Sequence, residues 1–106
     1  MGKNRIAVVS TDGITVDQHF GKADHFLIFD SDDPSTLVEK RETEPLSVGD
    51  PDHRFDAEKF DRIAARLGDC SKIYTVKIGA LPAAKLRDKG IEPVEYAGAV
   101  ADIGKG

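Results

Sequence analysis

Residues 5–10, RIAVVS, carry apolar and largely β-branched side chains on both faces of one short run. A strand of that kind belongs near the centre of a sheet covered on both sides. Residues 24–30, DHFLIFD, form a second strong strand pattern. Phe26 and Ile28 face one way along it and His25, Leu27 and Phe29 the other. Residues 36–44, TLVEKRETE, are weaker and more charged, as expected of an edge strand. No helical pattern separates these runs, so the three strands are expected to form an antiparallel meander.

Residues 45–54, with Gly49 and the pair Asp50-Pro51, read as a loop. After it the period changes. Phe60, Ile63, Ala64 and Leu67 recur at helical spacing, Asp56 suits the N-cap, Glu58 suits the positive end of the helix dipole, and Gly68 is placed to stop the helix. Residues 72–78 form a buried strand, Pro82 sits in the first turn of a second helix that ends at Gly90, residues 91–96 form a short strand limited by Pro93, and residues 97–103 a last small-residue helix. Helical crossovers make the later strands parallel, with right-handed connections. The expected fold is therefore α/β, a five-stranded mixed sheet with three helices. A meander followed by β-α-β units is the layout of ribonuclease H-like folds, with strand order 3-2-1-4-5.

The 106 residues suit one domain spanning 1–106, and the formal net charge of −4 supplies no basic excess for nucleic acid. Apolar runs reach about half a dozen residues against the roughly 20 needed to span a bilayer, and no signal-peptide pattern opens the chain, so a cytoplasmic protein without a membrane partner is expected. The single cysteine, Cys70, excludes an internal disulfide and a thiolate-only metal site within one chain.

The most informative segment is the loop of residues 10–21. Gly13 and Gly21 bracket a stretch dense in hydrogen-bonding groups at the carboxyl end of the first strand. Exposed amides there can line an anion site beside His19 and Lys22. Local features alone leave a second reading open, in which Asp12-Gly13 is only a hairpin turn.

The stretches VVSTDGITVDQHFGKADHFLIFD and DCSKIYTVKIGALPAAKLRDKGIEPVE resemble the dinitrogenase iron-molybdenum cofactor biosynthesis family, the NifX-type domain that also ends NifB-type proteins. The pattern S-x-D-G…V-x-x-H-F-G-x-A falls on Ser10, Asp12, Gly13, Val16, His19, Phe20, Gly21 and Ala23. The resemblance implies a ribonuclease H-like domain that binds or carries an anionic metal-sulfur cluster or its precursor without catalysis. It extends to free-standing orange-coloured proteins holding a molybdenum-copper sulfide cluster, so a molybdenum-iron or molybdenum-copper sulfide is the cofactor it suggests. Protein partners in cluster assembly and an oligomer fit the same picture.

On this basis His19 is the candidate metal ligand, a borderline-soft imidazole suited to iron or molybdenum. Ser10, Asp12, Gly13, Phe20, Gly21 and Lys22 are its companions in cluster binding, with Phe20 expected to plug the core beneath the loop. Gly79 and Ala80 join them because a helix N-terminus at the carboxyl end of the fourth strand points free amides outward. His25 and His53 are weaker candidates. Cys70 precedes that strand, so about 20 Å of strand separates it from the loop, and it is read as a small buried residue.

No catalytic residue is assigned. Ribonuclease H-like nucleases gather carboxylates around two metals, but Asp12, Asp17 and Asp24 read as turn and loop residues, and fold does not carry function. The leading expectation is a non-enzymatic carrier or scaffold. The alternative from another class is a protein-interaction or regulatory domain whose loop contacts a partner such as a nucleotide-binding accessory protein.

Overall fold

The computed structural model describes residues 5–30, 33–44 and 57–103. The sheet is built from β1 (Arg5–Val8), β3 (His25–Asp30), β4 (Asp33–Glu42), β5 (Cys70–Thr75) and β6 (Glu92–Glu95), in the order β4-β3-β1-β5-β6. A two-residue strand β2 (Thr15–Val16) lies in the loop after β1 and pairs with β7 (Gly98–Ala99) in a separate ribbon. β1, β3 and β4 pair antiparallel, whereas β5 is parallel to β1 and β6 to β5. The helices are α1 (Ala57–Ala65), between β4 and β5, and α2 (Ala80–Asp88), between β5 and β6.

The doubly apolar character of β1 is used in full. Ala7 and Val9 enter one core with Phe26, Ile28, Phe60, Ile63, Ala64, Leu67, Ile73 and Leu86, so both helices cover the same face. Ile6 and Val8 enter a second core with Val16, Leu27, Phe29, Val100 and Ile103. That second face has no α-helix among the described residues; its cover is the β2/β7 ribbon and a 3-10 turn, Val100–Asp102.

The expected third helix at residues 97–103 is therefore corrected to a strand and a 3-10 turn. Gly98 adopts φ +154°, outside the helical region, and pairs with Val16. The Val100 N–H donates to the Ile14 carbonyl at 2.8 Å. Val100 and Ile103 are three residues apart and both buried, a spacing that suits the 3-10 period. Partners in the loop thus win over a weak local helix preference. α1 also ends earlier than Gly68 suggested, at Ala65. Its last turn tightens through Arg66 N–H to Ile63 O and Leu67 N–H to Ala64 O, and Gly68 has no positive φ. Gly90 does close α2, with φ +82°, its N–H on Arg87 O and that of Ile91 on Leu86 O. The loop at 45–54, Asp56 and His53 lie outside the described residues.

Phe20 reaches from the loop into the helical core, where its ring lies 6.1 Å from that of Phe26 and 6.4 Å from that of Phe60. On the far side, Arg41 ties the edge strand to the end of α1. Its guanidinium grips both oxygens of Asp69, at 2.7 and 2.9 Å, and donates to the Arg66 carbonyl at 2.6 Å. This bidentate bond holds the Asp69 carboxyl down at about 2.

Two outcomes follow from these contacts. Phe20→Ala should lower unfolding free energy by about 3–5 kcal/mol in a denaturant titration. Because the folded Asp69 pKa lies below its ordinary value of 3.8, the stability from the Arg41 pair is complete above that value and lost as pH falls toward about 2. With Asp69 half exposed, the effect after screening is about 0.5–1 kcal/mol. Asp69→Asn should flatten that part of the acid stability profile.

Candidate functional site

The loop after β1 is shaped by its own side chains. Ser10 is buried, its hydroxyl donates to the Thr15 carbonyl at 2.6 Å, and its oxygen accepts the Gly13 N–H at 2.9 Å. Asp12 Oδ1 accepts the N–H groups of Ile14 and Thr15 at 2.8 and 3.0 Å. The bond from Thr15, with that from Ile14 next, holds the Asp12 carboxyl below its ordinary range. Asp17 receives the Thr11 N–H at 2.9 Å and its hydroxyl at 2.6 Å. Gly13 takes φ +76°, a left-handed conformation that side chains adopt only with strain.

The second half of the loop is fastened to the end of β5. Gln18 O accepts the Val76 N–H at 3.1 Å and the Thr75 hydroxyl at 2.9 Å, and the Phe20 N–H donates to Lys77 O at 3.0 Å. A 3-10 turn, Phe20–Lys22, follows, with the Gln18 side-chain amide donating to Lys22 O at 3.4 Å. Phe20 points inward, so His19 and Lys22 on either side of it remain exposed.

The result is an open depression of 250 Å³ lined by His19, Gly21, Lys22, Lys77, Ile78 and Gly79. It lies at the carboxyl end of the parallel pair β1 and β5, where α2 starts with Gly79 as its N-cap. Ala80 opens α2 but lines the adjoining depression with Ile78, Ala83, Arg87, Pro93 and Glu95. Asp12 and Gly13 line a third depression, with His25, Leu27, Phe29, Leu37 and Lys40, on the ribbon-covered side of the sheet. The structure thus brings together His19, Gly21, Lys22 and Gly79. Ser10 and Phe20 are interior, and Asp12, Gly13 and His25 are grouped elsewhere.

His25 is engaged by Asp24, Nδ1 to Oδ1 2.8 Å, and this hydrogen bond lowers the Asp24 carboxyl from its ordinary value. Asp12, Asp17 and Asp24 each have separate partners. Among the described residues no group of three His, Cys, Asp or Glu side chains could hold a metal ion. Cys70 is buried at the start of β5, where it pairs with Arg5 at the amino end of β1.

Lys77 went unnoticed in the sequence, where it falls within an expected strand of residues 72–78. β5 ends at Thr75, and residues 76–77 instead hold the loop. The spacing of Lys77 two positions before Gly79 was the signal available.

A model of the dinitrogenase iron-molybdenum cofactor family matches residues 2–105. The chain belongs to this family. It is 38% identical over 104 residues to the FeMo cofactor biosynthesis protein NifB of Frankia alni, a match covering 93% of this chain and 20% of that protein. It is 36% identical over 94 residues to protein NifY of Azotobacter vinelandii, covering 88% of this chain and 36% of that protein. The chain therefore spans about a fifth to a third of the length of these curated relatives. The apo form of the orange protein from Desulfovibrio gigas shares the fold with a TM-score of 0.64 at 19% identity, over 96% of this chain and 84% of that one. The Ser10-Thr11-Asp12-Gly13 and His19-Phe20-Gly21 segments have separable jobs, the first shaping the loop and the second anchoring its end and lining the depression.

Gly13, in the loop, and Gly79, in the depression, are expected to respond differently to substitution. Gly13→Ala forces a side chain to φ +76° and should cost about 1–2 kcal/mol. Gly79→Ala, at φ −66° with no contact closer than 3.4 Å, should change stability by less than about 0.5 kcal/mol. Thermal denaturation of both variants checks this.

Proposed function

We propose that the chain is a non-enzymatic carrier or scaffold for an anionic molybdenum- or iron-containing sulfide cluster or its precursor, acting as a single domain over residues 1–106. The observation that carries this reading is the meeting of the family's His19-Phe20-Gly21-Lys22 segment with Gly79 in one depression at the carboxyl end of β1 and β5. The sheet order, with a meander followed by parallel crossovers, supports placing the fold in the ribonuclease H-like class.

The donor set suits such cargo. One imidazole and two ammonium groups are too few to chelate a bare metal ion, but they fit a preassembled anion that brings its own sulfide ligands. His19 supplies one borderline nitrogen donor, Lys22 offsets charge, and the amides at Gly79 and Ala80 add the positive end of α2. Phe20, locked in the core, sets where the turn stands. Ser10, Asp12 and Gly13 act on the cargo only through the loop they shape. Cys70, at the other end of the sheet, takes no part.

A second reading, a module that contacts a protein partner such as a nucleotide-binding accessory protein, draws on Ile14. This residue is 69% exposed at the tip of a loop that side-chain hydrogen bonds hold in place. His19→Ala separates the two, since the carrier reading expects loss of cargo with partner binding intact.

The direct test incubates the protein with tetrathiomolybdate and copper, or with extracted iron-molybdenum cofactor. A visible charge-transfer band that survives desalting, and that His19→Ala reduces at least about tenfold through loss of one coordinate bond, is the expected outcome. Absence of a retained band in both incubations overturns the proposal.

A further inference from the structure

We propose that Lys77 and Lys22 form a two-point cation clamp that makes the His19 depression selective for cargo with two or more negative charges. This inference rests on the carrier reading above and deepens it, by naming the charge class of the ligand and a specificity residue outside the family pattern.

The depression has three ionisable lining residues, His19, Lys22 and Lys77, and no carboxylate. Among the described residues neither lysine has an acidic partner within ion-pair distance. Several other cations among the described residues are matched, Arg41 to Asp69, Arg62 to Glu44, Arg87 to Glu92 and Lys89 to Asp61. In a protein of net charge −4, two unmatched ammoniums around one depression make a local field opposite in sign to that of the whole molecule. Glu95 accepts the Ile78 N–H at 3.3 Å and lines the adjoining depression.

The clamp is also prearranged. The bond from Phe20 N–H to Lys77 O joins the two lysine-bearing segments, and that from Val76 N–H to Gln18 O repeats the tie. Burial of Phe20 removes freedom from the turn that carries Lys22. The main-chain positions of both charges are thus set before a ligand arrives, and only the side chains need to order. A dianion gains from each lysine about twice what a monoanion of the same shape gains.

Isosteric tetrathiometallates isolate charge from shape, because tetrathiomolybdate is a dianion and tetrathioperrhenate a monoanion. Equilibrium titrations of the full chain with each probe, at low and high salt, compare wild type with Lys77→Gln, Lys22→Gln and Lys77→Arg. Wild type should prefer the dianion by about tenfold or more at low salt, with the preference shrinking as salt rises. Lys77→Gln and Lys22→Gln should each erase most of that preference, and Lys77→Arg should keep it. Circular dichroism confirms that the exposed substitutions leave the fold intact. If wild type binds both probes and Lys77→Gln has the same preference, the clamp is overturned while the carrier reading stands. If wild type binds neither probe, the clamp is overturned, while the carrier reading is decided separately by the incubations with copper or extracted cofactor.

Discussion

The site depends on a pair of backbone hydrogen bonds that fasten residues 18–20 to residues 76–77, beyond the end of β5. Without them the second half of the long connection from β1 to β3 would lack its main-chain tie to the end of the sheet. With them, Phe20 is delivered into the helical core and the residues on either side of it are left facing out. Burying an aromatic ring supplies the energy that keeps the turn in place. A rigid site is built here from a segment with almost no regular secondary structure.

The two faces of the sheet are covered by different means. Both helices pack on the side of Ala7, Val9, Phe26 and Ile28. The other side rests on a two-residue ribbon and a 3-10 turn, strengthened by the edge-to-face contact of Tyr74 and Tyr96 at 6.0 Å and by the Tyr96 hydroxyl on Ala99 O at 2.7 Å. So thin a cover leaves Leu37, 53% exposed, at the margin of the depression lined by His25 and Lys40. The ribbon has a second consequence. By pairing β2 with β7 it binds the first half of the loop to the C-terminal segment, while β5 binds the second half.

Charge is divided along the same line. The acids of the loop are spent on structure, Asp12 on two amides and Asp17 on Thr11. The basic groups beside them are not spent, and they surround His19 where α2 begins. Neither carboxylate lines the depression beside His19. The loop is acidic in composition yet presents basic side chains beside His19.

Much of this was legible in the amino-acid sequence. The doubly apolar run RIAVVS, the alternation in DHFLIFD and the helical period from Phe60 to Leu67 are local patterns, and each became the element it announced. The motif around His19 and the start of a helix after Gly79 placed the carboxyl end of the sheet as the region of interest, and strand direction alone separated Cys70 from it. Other features depended on contacts between distant residues. Residues 97–103 became strand and 3-10 turn because the loop offered them partners, and no window of sequence around Gly98 contains that offer. Likewise Lys77 joined His19 through a main-chain bond across more than fifty residues, so its role came from tertiary pairing. Periodicity and turn chemistry are written in neighbouring residues, whereas the pairing of two irregular segments is decided only when the core that positions both has formed.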